Sequence, residues 1–171
     1  MGTLRKGHCY NKITRPYTRK SKFKKKGFIK TIPPIKLARF TMGDRTKTFT
    51  SKVVLVTKND VQIRHNALES ARQIVNRNLN KHIGPTNYFF QVNAYPHHIL
   101  RENKMLSGAH ADRLQTVMAH SFGRPVGAAA QVKKNHTIFT VSVNKENINK
   151  AIEALKKAAS RVPCKCGTKT Y

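Results

Sequence analysis

The sequence predicts an α+β fold, a two-layer α/β sandwich in which two helices cover one mixed or mostly antiparallel sheet. Apolar residues recur with a helical period in two segments, and they alternate or run together as in strands in five others. The chain has 171 residues, of which 39% are hydrophobic. This is enough for one modest core, so we expect a single domain with appendages.

The first predicted elements are two strands and a helix. Residues 35–40 show a weak strand pattern, and residues 49–57 form a stronger one because Val53 to Val56 are mostly β-branched. Between residues 60 and 81 the period becomes helical. The predicted stripe is Ala67, Leu68, Ala71, Ile74, Val75 and Leu79, and Arg72 lies off it. Asn66 or Asp60 is the expected N-cap, and Gly84 with Pro85 ends the helix.

The second half is predicted to contain three strands and a helix. Residues 87–95 alternate, with Tyr88, Phe90 and Val92 on one face of a strand. Residues 126–132 and 137–143 are predicted to be strands joined by a short hairpin link at 133–136. Residues 144–160 are predicted to be helical, with Asn144 as the cap. The remaining residues, 164–171, are expected to be a C-terminal tail outside a domain of residues 35–163.

Charge is the most informative feature of the composition. Lys and Arg number 34 against 7 Asp and Glu, which gives a formal net charge of +27. A polyanion neutralises such self-repulsion while releasing its own counterions, so nucleic acid is the expected partner. A membrane is not expected, because the basic stretches do not alternate with large apolar residues and no run approaches a spanning length.

Residues 1–34 are predicted to be a basic arm that becomes ordered on RNA. No acidic residue occurs before Asp44, and ring-bearing side chains are spread among the cations. Rings can stack on bases while cations contact phosphates, although a solvated basic tail or a nuclear address signal is the alternative. Pro33 and Pro34 force extended backbone and end the arm. The predicted RNA-binding residues are Arg5, Lys6, His8, Tyr10, Lys12, Arg15, Tyr17, Arg19, Lys20, Lys22, Lys24, Lys25, Lys26 and Lys30.

A second unusual segment is the excursion of residues 95–125, which is too long for a hairpin turn. It has cations at its shoulders, Arg101, Lys104 and Arg113, and small residues near its tip, Ser107 and Gly108. This composition suits contact with a phosphate backbone, since small residues let the main chain approach closely. An unordered surface loop remains an equal alternative.

Catalytic and metal chemistry are not indicated. Cys164 and Cys166 are separated by one residue, without a second pair, and His97 and His98 would point to opposite faces of a strand. No paired carboxylates, phosphate-cradling glycine motif or dinucleotide fingerprint occurs. We therefore expect no enzyme, no cofactor and no metal. The odd cysteine count and the missing secretory signal predict a cytoplasmic protein.

Several runs, in the same order along residues 8–163, are similar to one known family. They include Arg15 to Arg19 in the arm, residues 67–72, residues 95–107, residues 111–116 and residues 122–127. The Asn-Lys-Met-Leu run at 103–106 and the Ala-Asp-Arg-Leu-Gln-Thr run at 111–116 are the most specific. The chain resembles the large-subunit ribosomal proteins called number sixteen in bacteria and ten-e in archaea and eukaryotes. The end at Tyr171 resembles an archaeal-type member.

The resemblance implies a non-enzymatic constituent of the large ribosomal subunit, a monomer among neighbouring ribosomal proteins. It implies binding to large-subunit ribosomal RNA near the path of transfer RNA through the A and P sites. The loop at about residues 101–112 would reach toward the peptidyl transferase centre. The residues expected to face transfer RNA are Arg101, Asn103, Lys104, Met105, Ser107, His110 and Arg113. A chromatin-like packaging protein, or an RNA-processing enzyme using Glu102 or Asp112, is the alternative.

Overall fold

A computed structural model describes residues 5–21, 23, 25–103 and 123–171. Within these residues the chain forms eight strands and two α-helices, together with short 3₁₀ turns at Gly7–Tyr10 and Lys145–Asn147. The elements in order are β1 (Thr41–Gly43), β2 (Ser51–Thr57), β3 (Val61–Arg64), α1 (His65–His82), β4 (Tyr88–Val92), β5 (His98–Glu102), β6 (Arg124–Val132), β7 (Thr137–Val143), α2 (Ile148–Ala159) and β8 (Cys166–Thr170).

The strands form two sheets, and all their ladders are antiparallel. The large sheet has the order β1-β4-β7-β2-β8, and the small sheet has the order β3-β6-β5. The two helices pack on each other; α2 packs on β2, β7 and β8 of the large sheet, whereas α1 contacts β4 of the large sheet and β3 and β6 of the small sheet. The predicted α+β sandwich is confirmed, although two sheets replace the single sheet we expected.

The link at residues 133–136 joins the two sheets, so the hairpin predicted there is wrong. β6 pairs with β3 and β5, whereas β7 pairs with β4 and β2. Two hydrogen bonds hold this link to the end of β2 and the connection that follows it. The Lys134 N–H donates to Asp60 Oδ1 at 2.6 Å, and the Asn135 N–H donates to the Thr57 carbonyl at 2.8 Å. Asn135 adopts a φ of 63°, which Asn tolerates better than most residues.

The core follows the predicted periods. Tyr88, Phe90 and Val92 are buried while Gln91 is exposed, so the alternation in β4 is confirmed. α1 buries Leu68, Ala71, Val75 and Leu79, and α2 buries Ala151, Ala154, Leu155 and Ala158 against the same core. Arg72 was expected off the α1 stripe, but only 9% of it is exposed.

Several local predictions were wrong for identifiable reasons. Val61 and Ile63 alternate with Gln62 as a strand, so α1 begins only at His65. Neither Asp60 nor Asn66 caps the helix, because Arg64 occupies the N-cap position and makes no side-chain cap. Asp60 instead accepts a hydrogen bond from the Lys134 N–H in the link at residues 133–136. Asn144 precedes a 3₁₀ turn and makes no side-chain cap. The strand predicted at residues 35–40 is replaced by β1, which starts at Thr41.

The C-terminal segment is part of the fold. β8 pairs along the outer edge of β2, and Lys52 and Tyr171 exchange two backbone hydrogen bonds at 2.9 and 2.8 Å. An unpaired strand edge leaves backbone donors and acceptors without partners. β8 provides the partners for the backbone groups along this edge of β2. The tail that we expected from residue 164 onward is thus an edge strand. Neither α1 nor α2, the helices in the described residues, is long and apolar enough to cross a membrane.

Candidate nucleic-acid interface

The N-terminal arm crosses the small sheet from one edge to the other. At the outer edge of β3, the Gln62 N–H donates to the Asn11 carbonyl at 3.1 Å. At the outer edge of β5, the Ile99 N–H donates to the Tyr17 carbonyl at the same distance. β6 is the central strand, so these two hydrogen bonds lie at opposite edges of the sheet. The arm, which we expected to become ordered only on RNA, is anchored on the protein itself.

Side chains of the small sheet reinforce this anchoring. Gln62 Nε2 donates to the Tyr10 carbonyl at 2.8 Å, and Gln131 Nε2 orients that amide by donating to Gln62 Oε1 at 2.9 Å. Beside β5, Ile29 is buried with Ile99 and Ala128 in a small apolar cluster. The two glutamines lie opposite each other on neighbouring strands. The sequence analysis missed this role because nothing local marks either residue.

Glu102 ties the start of the arm to the end of β5. Its Oε1 accepts the Arg5 Nε at 2.8 Å, and the Tyr10 hydroxyl lies 3.5 Å from its Oε2. Burial and the nearby Glu102 carboxylate raise the pKa of Tyr10. Arg64 stacks over the Tyr10 ring at 5.4 Å and donates to the Arg5 carbonyl. This carboxylate therefore connects the start of the arm to the end of β5.

Two of the rings predicted to stack on bases are used within the protein. The Arg101 guanidinium lies 4.0 Å above the Tyr17 ring, and Arg19 covers one face of Phe28 at the same distance. Tyr10 and Tyr17 are half-buried. Phe23 and Phe28 are 73% and 61% exposed, and His8 is also exposed. Among the described arm residues, Phe23 and His8 have exposed rings, and Phe28 presents the face that Arg19 does not cover.

Two histidines, the buried His98 and the half-buried His65, accept backbone hydrogen bonds from the arm and from the segment that follows it. His98 Nδ1 accepts the Tyr17 N–H at 2.9 Å, and His65 Nδ1 accepts the Lys36 N–H at 2.8 Å. Each Nδ1 must be unprotonated to accept. Burial lowers the pKa of both histidines; His97 and Arg101 lower it further for His98, and Lys36 and Arg64 do so for His65. His98 is buried and His97 half-buried, as expected for neighbours on a strand.

Acid should loosen the arm at Tyr17. Because the folded-state pKa of His98 is depressed below 6.5, its stabilising bond is complete above that pH and is lost as the pH falls toward the folded-state value. We expect hydrogen-exchange protection of the Tyr17 amide, corrected for intrinsic rates, to fall about fivefold, since a neutral hydrogen bond contributes about 1 kcal/mol. NMR exchange at neutral and mildly acidic pH measures this.

His98→Asn is the matched variant, because the Asn oxygen occupies the position of Nδ1 and does not titrate. In this variant, Tyr17 protection should no longer depend on pH, while the Lys36 amide bonded to His65 should still lose protection in acid. Equal pH dependence of the Tyr17 amide in the wild type and in His98→Asn would contradict the prediction.

The remaining arm cations form an exposed surface. Among the described residues, Arg5 is the one arm cation paired with a carboxylate. We call the other exposed cations the basic arm surface: Lys6, Lys12, Arg15, Arg19, Lys25, Lys26 and Lys30. Lys20 is half-buried, and Lys22 and Lys24 lie outside the described residues. Charges held on an anchored backbone lose less entropy on binding than charges on a free tail.

The predicted transfer-RNA-facing loop is described only at its base. Arg101 and Asn103 are half-buried at the end of β5, where Arg101 stacks on Tyr17. Lys104, Met105, Ser107, His110 and Arg113 lie outside the described residues. The excursion predicted at residues 95–125 is shorter than expected, because residues 98–102 form β5 and β6 begins at Arg124. The two strands pair up to Glu102 and Arg124, and Glu102 contacts the arm at this end of the small sheet. In the described part of the chain, no three His, Cys, Asp or Glu residues are grouped to hold a metal ion.

Comparison with known proteins identifies the family of this chain. Residues 15–168 match the family model described as ribosomal protein L16p/L10e. Proteins named large ribosomal subunit protein uL16 are 44% identical in Methanococcus aeolicus, over 95% of this chain and 91% of theirs, and 45% identical in Thermofilum pendens, over 94% and 92%. The Hyperthermus butylicus protein of that name is 46% identical over 86% and 79%. The chain belongs to the L16p/L10e family of ribosomal proteins.

Proposed function

We propose that this chain is a structural constituent of the large ribosomal subunit in the cytoplasmic ribosome, and that it binds large-subunit ribosomal RNA without catalysing a reaction. The relatives carry the name of a large-subunit protein. The observation that supports RNA binding most directly is the basic arm surface, which is held on the small sheet. Among the described residues, Glu102 is the carboxylate that pairs with an arm cation, and it pairs with Arg5, outside this surface. Such a surface contacts phosphates through a preorganised backbone.

The anchored arm also suggests how structured RNA is distinguished from other polyanions. The Gln62 and Tyr17 edge bonds fix the backbone at two points across the small sheet. Cations whose positions are fixed relative to one another bind best to phosphates at a matching spacing. Folded RNA can present such an arrangement, whereas duplex DNA has evenly spaced phosphates. Exposed Phe23 and Phe28 add ring faces for unstacked bases.

We propose further that the residues from Arg101 to Arg113 face transfer RNA at the A and P sites and support the peptidyl transferase centre. The resemblance of residues 95–107 and 111–116 supports this, as does the departure of the excursion from a rigid base. Glu102 and Arg101 each contact the arm, which would fix the direction of the loop where it leaves β5. Neighbouring large-subunit proteins and ribosomal RNA would complete the surroundings.

Gradient sedimentation of tagged protein after a high-salt wash tests the proposal. We expect stoichiometric retention with the large subunit. Loss to free or DNA-bound fractions would contradict the ribosomal assignment. The same particles test the finer proposal: a chain lacking residues 103–111 should remain in the subunit but support less peptide synthesis. Undiminished synthesis would contradict the transfer-RNA role and leave the ribosomal assignment intact.

A further inference from the structure

Cys164 and Cys166 lie in contact at the start of β8. Their Sγ atoms are 3.5 Å apart, and both side chains are partly buried against the edge of the core. Cys9, the remaining cysteine, is exposed in the arm. Nothing in the proposed ribosomal role uses the pair. Two thiols at this distance form a dithiol, whose chemistry differs from that of an isolated cysteine.

The backbone allows the two sulfurs to bond. Cys164 lies in a bend and Cys166 is the first residue of β8, and the 3.5 Å contact between their Sγ atoms places both side chains on the same side of the chain. Cα atoms two residues apart in extended backbone are about 6.8 Å apart. Disulfides span Cα separations of about 4.4–6.8 Å, so closure needs no rearrangement of the fold. The sulfurs must approach by about 1.5 Å to reach a covalent S–S distance of about 2.0 Å. Both thiols are partly exposed at an edge strand, where a small reagent has access.

The contact makes the two thiols unequal. Hydrogen bonding from Cys164 lowers the pKa of Cys166, and the same contact raises the pKa of Cys164 well above its ordinary value. Either sulfur can donate in this contact, and Cys166 Sγ also lies 3.6 Å from the Cys164 carbonyl oxygen, which can accept its thiol proton. The lowered pKa makes Cys166 the sulfur that ionises first. Since the thiolate is the nucleophile, Cys166 attacks first and Cys164 is the resolving thiol.

We propose that Cys164 and Cys166 form a thiol–disulfide exchange site that reacts with a low-molecular-weight disulfide and closes to an intrachain disulfide. The Cys166 thiolate attacks one sulfur of the reagent, and a mixed disulfide forms as one reagent thiolate leaves. Cys164 gives its proton to solvent, attacks the Cys166 sulfur and releases the second reagent thiolate. The protein pair is oxidised by two electrons, and the reagent disulfide is reduced to two thiols.

Oxidised glutathione is the probe, and the full chain carrying Cys9→Ser is the test protein, because this substitution removes the exposed thiol. We expect that both remaining thiols are lost, the intact mass falls by two hydrogen atoms, and no stable glutathione adduct remains. Dithiothreitol should restore both thiols. A stable adduct on either cysteine, or unchanged thiol content under denaturing assay, would overturn the proposal.

Single-cysteine variants test the order of attack. With Cys9→Ser and Cys164→Ser combined, Cys166 should end as a stable mixed disulfide with glutathione, since no resolving thiol remains. With Cys9→Ser and Cys166→Ser combined, Cys164 should react more slowly. A faster reaction at Cys164 would overturn the assigned order. Closure itself is tested on the protein that retains both cysteines, so misfolding of a double variant does not obscure it.

Discussion

Replacing Lys12, Arg15 and Lys25 by alanine should weaken binding to folded large-subunit ribosomal RNA about a hundredfold or more at about 0.1 M salt. All three side chains are exposed on the basic arm surface. Each cation that neutralises a phosphate releases counterions and contributes about 0.7–0.9 to the slope of log K against log salt concentration. The triple variant should thus lose about 2 to 3 units of slope. A salt titration of binding measures this.

The matched control removes the same charge from positions outside the arm. Lys145, Lys150 and Lys156 are exposed on and just before α2, in the helical layer. If the arm provides the RNA contacts, alanine at these three positions should change the slope by less than one unit. Equal losses in both triple variants would mean that net charge, and not the arm, determines binding. An unchanged slope in the arm variant would contradict the interface.

Periodic signals explain which parts of the fold could be predicted. β4 and the α1 stripe bury one face each, so Tyr88, Phe90 and Val75 reveal the core from spacing alone. β3 and β5 have only four and five residues, and both lie next to longer patterns that hide them. The two sheets could not be inferred either, because Lys133 to His136 resembles an ordinary hairpin link in sequence.

The candidate interface was predictable in composition but not in geometry. The absence of acidic residues and the abundance of cations predict that the arm binds a polyanion. Its anchoring depends on pairs far apart in sequence, such as Tyr17 with His98 and Gln62 with Tyr10. In both pairs the side chain bonds a backbone atom, and a backbone atom carries no sequence signal. For this reason the rings of Tyr10 and Tyr17 were expected to bind bases, whereas they pack on Arg64 and Arg101.

The ion pair beneath the end of the arm joins three parts of the molecule. Glu69 on α1 receives Arg72 Nε at 2.8 Å and Nη2 at 2.6 Å, and its side chain is only 13% exposed. The Ala38 N–H donates to the same carboxylate at 3.3 Å, and Arg72 Nη1 reaches Met42 Sδ. The pair therefore connects the helix with the segment that leads from the arm into β1.

Glu69→Ala should lower the free energy of unfolding by about 3 kcal/mol, because removing one partner leaves the buried Arg72 charge uncompensated. For a domain whose stability is about 5–15 kcal/mol, this is a large fraction. Urea denaturation without RNA measures the loss. Glu153→Ala is the matched control: Glu153 is exposed on α2, so its replacement should cost less than about 0.5 kcal/mol. Similar losses in the two variants would contradict the role of the pair.

The same ion pair predicts that the free energy of unfolding falls at acidic pH, and that part of this fall depends on the Glu69 carboxylate. The hydrogen bond from Arg72 holds the pKa of Glu69 below its ordinary 4.5, with further bonds from Ala38 and Gln73. A depressed folded-state pKa means that the contribution is complete above about pH 4.5 and is lost as the pH falls through the folded-state value. Glu69→Gln keeps an acceptor oxygen but does not titrate, so its stability should fall less steeply over this range. Parallel curves for Glu69→Gln and the wild type would assign the acid sensitivity to other carboxylates.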